Sequence, residues 1–329
     1  MDKSYSRRLQ LNSAIFKNPY WVLPVEDEGR SNFEPVGRGV QTSPLCGRWV
    51  GVNTCKNVSK HEGIVFRGVD YTGKVVVHRH LWCFKSSCPV CFIRGWSKRG
   101  ACNVDARVNT GVKRGLGKVE HVMVSVSEVD RDLPESVFRK KCRKILLDCG
   151  VSGCMIFHGF RRDKERNVLV WRPHYHVLGF IEGGYARCRD CGRKWDCLKG
   201  CGGFDDRAWQ TFQKSGYYVK VFAERGKSYY EDKDNIFGTA YYQLNHATIK
   251  LGVKRFHAVT WFGVCGNRKF ESEKVDVKVT CPLCCDEMGR SVYVGKERIV
   301  KDVGHPDYKA VFPMSEFGED GEPNFIDVV

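Results

Sequence analysis

The sequence lacks the features of several large classes of protein. It contains no run of 18 or more apolar residues, so we expect no segment to span a bilayer. Polar residues interrupt its first 16 positions too often to provide the apolar region of a signal peptide. With 42% hydrophobic and 12% aromatic residues, the chain is also too apolar for a largely disordered protein. We therefore expect a folded cytoplasmic protein of 329 residues and about two domains.

Negative charge is scarce relative to positive charge. The chain has 54 Lys and Arg against 38 Asp and Glu, a formal net charge of +16. Acidic residues are concentrated at the end, where residues 314–329 hold five acids and no base. This balance favours a polyanionic partner.

A phosphate-binding loop is also missing. Residues 111–118 are rich in glycine and lysine, but their glycine spacing is wrong and Val119 stands where a Ser or Thr is required. We therefore expect no helicase activity in this chain, and a process that needs strand separation would use a helicase of the host.

Cysteine, in contrast, is abundant. Seventeen cysteines would suit a secreted disulfide scaffold, but such scaffolds are short. Here many cysteines recur in C-x₂-C pairs, a spacing that metal thiolates explain better. The sequence predicts two or three structural Zn²⁺ ions.

The middle cysteine cluster has the complete ligand pattern C-x₂-C-x₅-C-x₃-C. Its predicted zinc ligands are Cys188, Cys191, Cys197 and Cys201. Basic residues and a tryptophan in the same segment suit phosphate contact and base stacking. We expect DNA contacts from Arg193, Lys194 and Trp195.

The other two clusters each start from one C-x₂-C pair. The first pair is Cys88 and Cys91, which we group with Cys46 and Cys83, while Cys55, His78 and His80 compete for the last two positions. The other pair is Cys281 and Cys284, for which Cys265 and Cys285 are the available partners. A catalytic zinc of the deaminase type would need a His-x-Glu sequence beside Pro-Cys-x-x-Cys, and the sequence lacks it.

Hydrophobic patterning predicts alternating strands and helices after about residue 119. The predicted strands are residues 119–127, 154–160, 168–181, 217–222 and 253–264. A helix is predicted between Asp132 and Gly150, and a second between Asp234 and Gly252. The strands on either side of the polar segment 161–167 should form a hairpin.

Two histidines on one predicted strand give the sharpest chemical signal. His174 and His176 alternate with Tyr175, so they share one face roughly 6.6–7 Å apart and can converge on one cation. A hairpin that turns about Arg166 places His158 opposite His174, which makes His158 the third candidate ligand. A polar sheet surface without a metal is the alternative interpretation.

The predicted late helix carries a tyrosine next to a histidine. One apolar stripe contains Ile236, Ala240, Leu244, Ala247 and Leu251. Tyr242 and His246 lie together on the opposite side, either as a solvent-facing pair or, close to a metal, as a nucleophile and its neighbour for phosphoryl transfer. Tyr241 points about 100° away and is the weaker candidate nucleophile.

In combination and order, these motifs resemble those of the HUH endonucleases. The matching pieces are the strand 122–127, Phe157-His-Gly-Phe-Arg161, Trp171-Arg-Pro-His-Tyr-His176 and Tyr242-Gln-Leu-Asn-His-Ala247. The resemblance covers about residues 80–290 and is closest to the rolling-circle replication initiators (Rep) of archaeal plasmids and viruses. It implies an α+β fold with a central five-stranded antiparallel sheet, flanking helices and zinc-binding insertions.

The resemblance also implies a reaction. His174 and His176 would bind a catalytic Mn²⁺ or Mg²⁺, and Tyr242 would nick single-stranded DNA at a replication origin, leaving a 5′-phosphotyrosyl link and a 3′-hydroxyl. A host polymerase and helicase would then be partners, with no membrane involved. From their positions in the motifs, we expect Arg161 and Arg172 to contact DNA. Many HUH enzymes have a lysine soon after the tyrosine, whereas here His246 would orient water or phosphate.

These expectations divide the chain into five sections. They are an N-terminal segment 1–45 of unknown role, a Cys/His-rich zinc module 46–115, a nuclease domain 116–265 with a zinc knuckle at 188–201, a C-terminal segment 266–313 and an acidic tail 314–329. Two rival functions stay open: a tyrosine transposase of the same superfamily, and a non-catalytic zinc protein that binds nucleic acid.

Overall fold

The computed structural model arranges the chain as two compact units. It describes residues 23–26, 32–47, 49–55, 57–62, 65–66, 69–70, 76–184, 203–222, 235–253, 256–266, 270, 281, 283–284, 286–294, 299–302 and 309–311. The first unit comprises Met1–Ser13, Thr42–Cys83 and Asp276–Val329. The second unit comprises Ala14–Gln41 and Phe84–Val275. Each unit is therefore built from separate stretches of the sequence.

Both helices and strands are present. The strands in chain order are β1 (Val25–Glu26), β2 (Phe33–Pro35), β3 (Trp49–Thr54), β4 (Val65–Phe66), β5 (Val69–Asp70), β6 (Val76–His80), β7 (Glu120–Ser125), β8 (Val151–Asp163), β9 (Val168–Ile181), β10 (Tyr218–Val221), β11 (Thr248–Lys250), β12 (Val259–Phe262), β13 (Gly289–Val294), β14 (Ile299–Asp302) and β15 (Lys309–Val311). The α-helices are α1 (Lys98–Lys113), α2 (Glu135–Asp148), α3 (Phe204–Ser215) and α4 (Ile236–Asn245). A π-helical turn, Phe92–Ser97, runs directly into α1.

None of the helices in the described ranges has the length and apolar character needed to cross a membrane.

The second unit is organised around an antiparallel sheet. Its strand order is β10-β7-β9-β8-β12, and the short β1 adds to β9 in parallel. The predicted mixed α and β fold with a central antiparallel sheet is thus confirmed. A smaller ladder of β11 with β2 lies in the same unit.

The long hairpin of β8 and β9 forms the middle of this sheet. Its turn is closed by Asp163, whose carboxylate accepts hydrogen bonds from the backbone N–H groups of Glu165 at 3.0 Å and Arg166 at 3.1 Å. Asn167 adopts a positive φ of 54°, which asparagine tolerates better than most residues. The predicted hairpin is therefore confirmed, and the pairing puts His158 opposite His174 as expected.

The sheet is buried on both faces. Alternate residues on one face, including Val124, Phe157 and Tyr175, form a core with Phe138 and Leu146 of α2. The opposite face is covered by a second core made by Val104 and Val108 of α1, Ala240 and Leu244 of α4, and strand residues such as Ile156. His158 of β8 and His174 and His176 of β9 lie on this second face.

Helix α4 is shorter than the sequence predicts. It ends at Asn245, and residues 248–250 of the predicted helix instead form β11, paired in register with β2. The β-branched Thr248 and Ile249 favour an extended backbone, and the partner strand supplies hydrogen bonds that periodicity alone cannot reveal. The stripe residues Ile236, Ala240, Leu244 and Ala247 are nevertheless all buried.

In the first unit, β15-β14-β13-β3-β6 form an antiparallel sheet. Strand β3 comes from the N-terminal stretch and β13 from the C-terminal stretch, and their register pairs Thr54 with Gly289. Distant parts of the sequence therefore meet in this sheet.

We expect Leu244→Ala to destabilise the second unit by about 2–5 kcal/mol, because it empties a fully buried site between α4 and α1. Gly100 on α1 shows how close these helices lie, since a Cβ there would be 2.8 Å from Leu244 Cδ1. Urea unfolding followed by circular dichroism measures the change.

Tyr242→Phe on the same helix is the matched control. Tyr242 is 38% exposed, so its stability cost should stay below about 0.5 kcal/mol. Equal losses for the two variants would contradict the packing described for α4.

Candidate metal centre and its tyrosine

Three histidines converge on the inner face of the β8–β9 hairpin. His158, His174 and His176 each offer one ring nitrogen, and these atoms lie within 4.8 Å of one another. The ring centroids are 4.7 Å apart for His158 and His176, and 5.2 Å for the other two pairs. All three residues are buried, so the structure brings together the three ligand candidates that the sequence suggested.

Hydrogen bonds determine which nitrogens face the centre of the cluster. His174 Nδ1 donates to the backbone carbonyl of Arg172 at 2.7 Å, which leaves Nε2 as its lone-pair nitrogen. Nε2 of His158 is buried and has no hydrogen-bond partner. A buried imidazole nitrogen in this condition needs a ligand, and a divalent cation would supply one.

Burial keeps these imidazoles neutral. Desolvation lowers the pKa of His174 to about 4. The pKa values of His158 and His176 fall well below the ordinary histidine value, first because of burial and then because neighbouring histidines would repel a second charge. Neutral imidazole is the form that binds metal ions, so the site is prepared for a cation.

An irregularity in the hairpin lies next to the cluster. The register shifts between His158 and Phe160, because β9 inserts an extra residue opposite Gly159. Gly159 has no space for a side chain, since a Cβ would lie 2.6 Å from the Trp171 ring. Its backbone N–H donates to Thr248 Oγ1 at 2.7 Å. The bulge is therefore held from both sides, directly after the first histidine.

A fourth histidine, which the sequence reasoning missed, supports the cluster. His121 Nε2 lies 2.8 Å from His176 Nδ1, so this hydrogen bond occupies Nδ1 and leaves Nε2 of His176 for a ligand. The ring of Phe222 stacks on His121 at 4.6 Å and on His176 at 5.5 Å. His121 falls two residues after the predicted start of β7, and its only sequence signal was its position on a strand beside the His-x-His strand.

Tyr242 of α4 and His246, which directly follows this helix, form a pair of rings. Their rings lie 4.4 Å apart, and His246 Nδ1 donates to the backbone carbonyl of Tyr242 at 2.8 Å. His246 is close enough to His158 and His176 that a charge on it would lower their pKa values. His246 therefore contacts Tyr242 and is also near His158 and His176.

The two adjacent tyrosines have different surroundings. Tyr242 keeps 38% of its surface exposed, whereas Tyr241 keeps 6% and stacks on Phe237 with a centroid distance of 5.8 Å. Burial raises the pKa of Tyr241 to about 12 and also raises that of Tyr242. Both phenols are thus protonated at neutral pH, and only Tyr242 is open to a large substrate.

Comparison with protein-family models, curated proteins and solved structures finds no match to this chain. The chemistry of the site must therefore be argued from its own side chains.

Two predicted DNA-binding residues lie beside the cluster. Arg161 and Arg172 are both exposed, and Arg161 is near enough to His174 to disfavour a positive charge there. Arg172 contributes the carbonyl that orients His174. The other predicted DNA contacts, Arg193, Lys194 and Trp195, and the zinc ligands Cys188, Cys191, Cys197 and Cys201 lie outside the described residues.

The remaining cysteines are divided between the units. Cys88 and Cys91 lie in the second unit, buried at the turn that precedes the π-helical segment, and Cys46 and Cys83 belong to the first unit. Cys281 and Cys284 lie in the first unit with Cys55 and His61. Cys265, which the sequence grouped with that pair, is instead buried in the second unit, where its carbonyl accepts hydrogen bonds from Arg107 at 2.6 and 3.0 Å. The ligand set of the third cluster thus differs from the predicted one.

We expect His121→Phe to weaken Mn²⁺ binding about 10–100-fold, because it removes the hydrogen bond that orients His176 while keeping a ring against Phe222. Isothermal titration calorimetry measures the affinity. His121→Gln, whose amide can renew a hydrogen bond to His176, should recover part of the loss.

Lys164→Phe provides the matched control for His121, because Lys164 is exposed in the turn of the β8–β9 hairpin, six residues beyond His158. An affinity that is the same in both Phe variants would show that His121 does not position His176.

Proposed function

We propose that the protein is a metal-dependent, single-strand DNA nickase and strand transferase of the HUH type that initiates rolling-circle replication. The observation that carries this proposal is the convergence of His158, His174 and His176, with His246 near them and in ring contact with the exposed Tyr242. A phenol and a neutral three-imidazole cluster on facing elements suit transfer of a phosphoryl group to tyrosine.

The sheet supports the finer fold assignment. A five-strand antiparallel path, with the His-x-His sequence on its central strand β9 and helices on both faces, agrees with what the resemblance to HUH endonucleases implies. The tyrosine lies on a helix that packs against the histidine-bearing face, so the order of the motifs and their placement are consistent.

The chain's residues fit a catalytic cation. His158, His174 and His176 would hold it through nitrogens that are neutral and turned toward one another. When bound, the cation would withdraw electrons from a phosphate oxygen and orient the scissile bond. Because imidazole ligands favour Mn²⁺ over the oxygen-preferring Mg²⁺, Mn²⁺ should serve at least as well.

Tyr242 supplies the nucleophile in this mechanism. Its phenol oxygen forms a bond to phosphorus, the bond from phosphorus to the 3′-oxygen breaks, and that oxygen leaves as a 3′-hydroxyl after taking up a proton. The phenol must lose its own proton, since burial keeps its pKa high. His246 is neutral, with Nδ1–H donated to a carbonyl, so Nε2 is the nitrogen that can accept a hydrogen bond from water or phenol.

The rejoining step uses the phosphate ester bond to tyrosine, which retains the energy of the cleaved phosphodiester. A 3′-hydroxyl can attack the 5′-phosphotyrosyl link and restore the phosphodiester, which returns the phenol. Between the two steps, the free 3′-hydroxyl is a primer for a host polymerase. The net charge of +16 and the exposed Arg161 and Arg172 favour binding of the DNA strand that this reaction requires.

The decisive test is a covalent protein–DNA adduct. The protein is incubated with labelled single-stranded origin DNA and Mn²⁺, denatured and separated by electrophoresis. We expect an adduct with wild type and none with Tyr242→Phe or with the double variant His174→Ala/His176→Ala, because these lack the nucleophile or the metal ligands.

Tyr241→Phe is the matched control, since it removes the neighbouring phenol from the apolar core and should keep the adduct. An adduct that persists in Tyr242→Phe would refute the assignment of the nucleophile. Undiminished DNA binding without any adduct in wild type would favour the non-catalytic zinc protein, and cleavage confined to transposon ends would favour the transposase.

We further expect Mn²⁺ to support nicking at least as fast as Mg²⁺ at equal concentration, because three imidazoles are better ligands for Mn²⁺. Initial rates of cleavage of the same oligonucleotide in each metal provide the comparison. Cleavage that Mg²⁺ supports and Mn²⁺ does not would contradict the histidine ligand set.

A further inference from the structure

Three cysteines and a histidine of the first unit meet at one buried point. Cys55, His61, Cys281 and Cys284 place one ligand atom each within 4.8 Å of all the others. Cys55, His61 and Cys281 are almost completely buried, and Cys284 is partly exposed. The cysteines are free thiols. Hydrophobic packing does not explain why three thiols and an imidazole converge at one position.

The distances match the edges of a tetrahedron around a metal ion. Cys55 Sγ lies 3.5 Å from Cys284 Sγ, and Cys281 Sγ lies 3.3 Å from His61 Nε2. Four ligands about 2.0–2.3 Å from a tetrahedral Zn²⁺ are separated from one another by about 3.3–3.8 Å. A disulfide would require about 2.0 Å between sulfurs, so the pair Cys55 and Cys284 is not one.

Strand register creates this meeting point. Thr54 at the end of β3 pairs with Gly289 at the start of β13, so the chain leaving β3 and the chain entering β13 lie side by side. Cys55 directly follows β3, and Cys281 and Cys284 lie eight and five residues before the start of β13. The 3₁₀ turn Val58–His61 then brings His61 back to the same point.

A surrounding set of polar contacts holds the two halves of the site. Lys60 Nζ donates to both carboxylate oxygens of Asp286, at 3.0 and 2.7 Å, and Asn57 also donates to this carboxylate. The backbone N–H of Cys281 donates to the carbonyl of Asp286 at 2.7 Å, which closes the C-x₂-C turn. Lys60 and Asn57 belong to the His61 side and Asp286 to the Cys284 side, so the ligands are positioned from both directions.

We propose that Cys55, His61, Cys281 and Cys284 form a structural Zn²⁺ site that fastens the N-terminal and C-terminal stretches of the first unit. Three thiolates and one imidazole are a ligand set typical of structural zinc. All four tetrahedral positions are taken by protein atoms, which leaves none for water or substrate, so the role is structural.

The site has a specific consequence for folding. More than 200 residues, including most of the second unit, separate Cys55 from Cys281 in the sequence. Closing so long a loop costs conformational entropy that the short pairing of β3 with β13 and the contacts of Asn57 and Lys60 with Asp286 must otherwise offset. Zinc binding provides free energy at the position where the two stretches join, so the first unit should depend on zinc for its stability.

The proposal is tested by measuring the zinc content and cobalt spectra of the intact 329-residue chain. Purified wild type and variants are analysed by inductively coupled plasma mass spectrometry. We expect Cys284→Ser and Cys55→Ser each to lose one zinc per chain. Cys265→Ser, the matched control at the cysteine that sequence alone would have chosen, should keep the wild-type content.

A second variant distinguishes the loss of a zinc ligand from a general loss of folding. His61→Cys should retain the wild-type zinc content, because it replaces one zinc ligand by another. After exchange with Co²⁺, its visible absorption should shift and gain intensity in the sulfur-to-cobalt band, since a fourth thiolate joins the metal. Wild-type zinc content in Cys284→Ser, or a cobalt spectrum of His61→Cys identical to that of wild type, would overturn the proposal.

Discussion

The pairing of β8 with β9 is the constraint on which the candidate active centre depends. Its register puts His158 opposite His174, and strand alternation brings His176 to the same face. Gly153 and Gly179 face each other in this ladder, and a Cβ on Gly179 would lie 2.1 Å from the Ser152 carbonyl oxygen. A slip of β9 by one residue would turn His174 and His176 toward the opposite core while His158 kept its place, so the three-histidine site requires this register.

Burial of the histidine face explains the chemistry of the centre. The rings are packed below α1 and α4, where a positive charge on imidazole is unfavourable, and they therefore stay neutral. The same packing gives them few partners other than each other, His121 and a backbone carbonyl. A site that is neutral, nitrogen-rich and close to an exposed phenol is suited to a divalent cation and a phosphate ester.

The candidate metal sites of the two units differ in their surroundings. In the second unit, the histidines lie on a sheet that already has two apolar cores, so the sheet would not need a cation for its stability. In the first unit, the Cys and His ligands lie where strands from distant parts of the sequence meet, so a metal there would contribute to stability. A site of three imidazoles suits a catalytic cation, and a site of three thiolates and one imidazole suits a structural zinc ion.

Local sequence patterns determined much of the second unit. Alternation and the polar segment 161–167 predicted the β8–β9 hairpin and grouped His158 with His174 and His176. In the structure this pairing also needs the bulge opposite Gly159, because the turn pairs Asp163 with Val168 and the bulge adds the one-residue shift that brings His158 opposite His174. The apolar stripe on α4 indicated that Tyr242 and His246 share its other side, as they do. These features depend on residues close together in the chain, where periodicity carries the information.

Only the tertiary structure decided the contacts between distant segments. It ended α4 at Asn245 because the next residues pair with β2, and it placed His121 behind His176 through the pairing of β7 with β9. It also joined Cys281 and Cys284 to Cys55 and His61 and left Cys265 in another unit. Cysteine spacing shows which ligands are close together in the sequence. The remaining ligands of the site are brought in by strand pairing across more than 200 residues, which no local sequence pattern encodes.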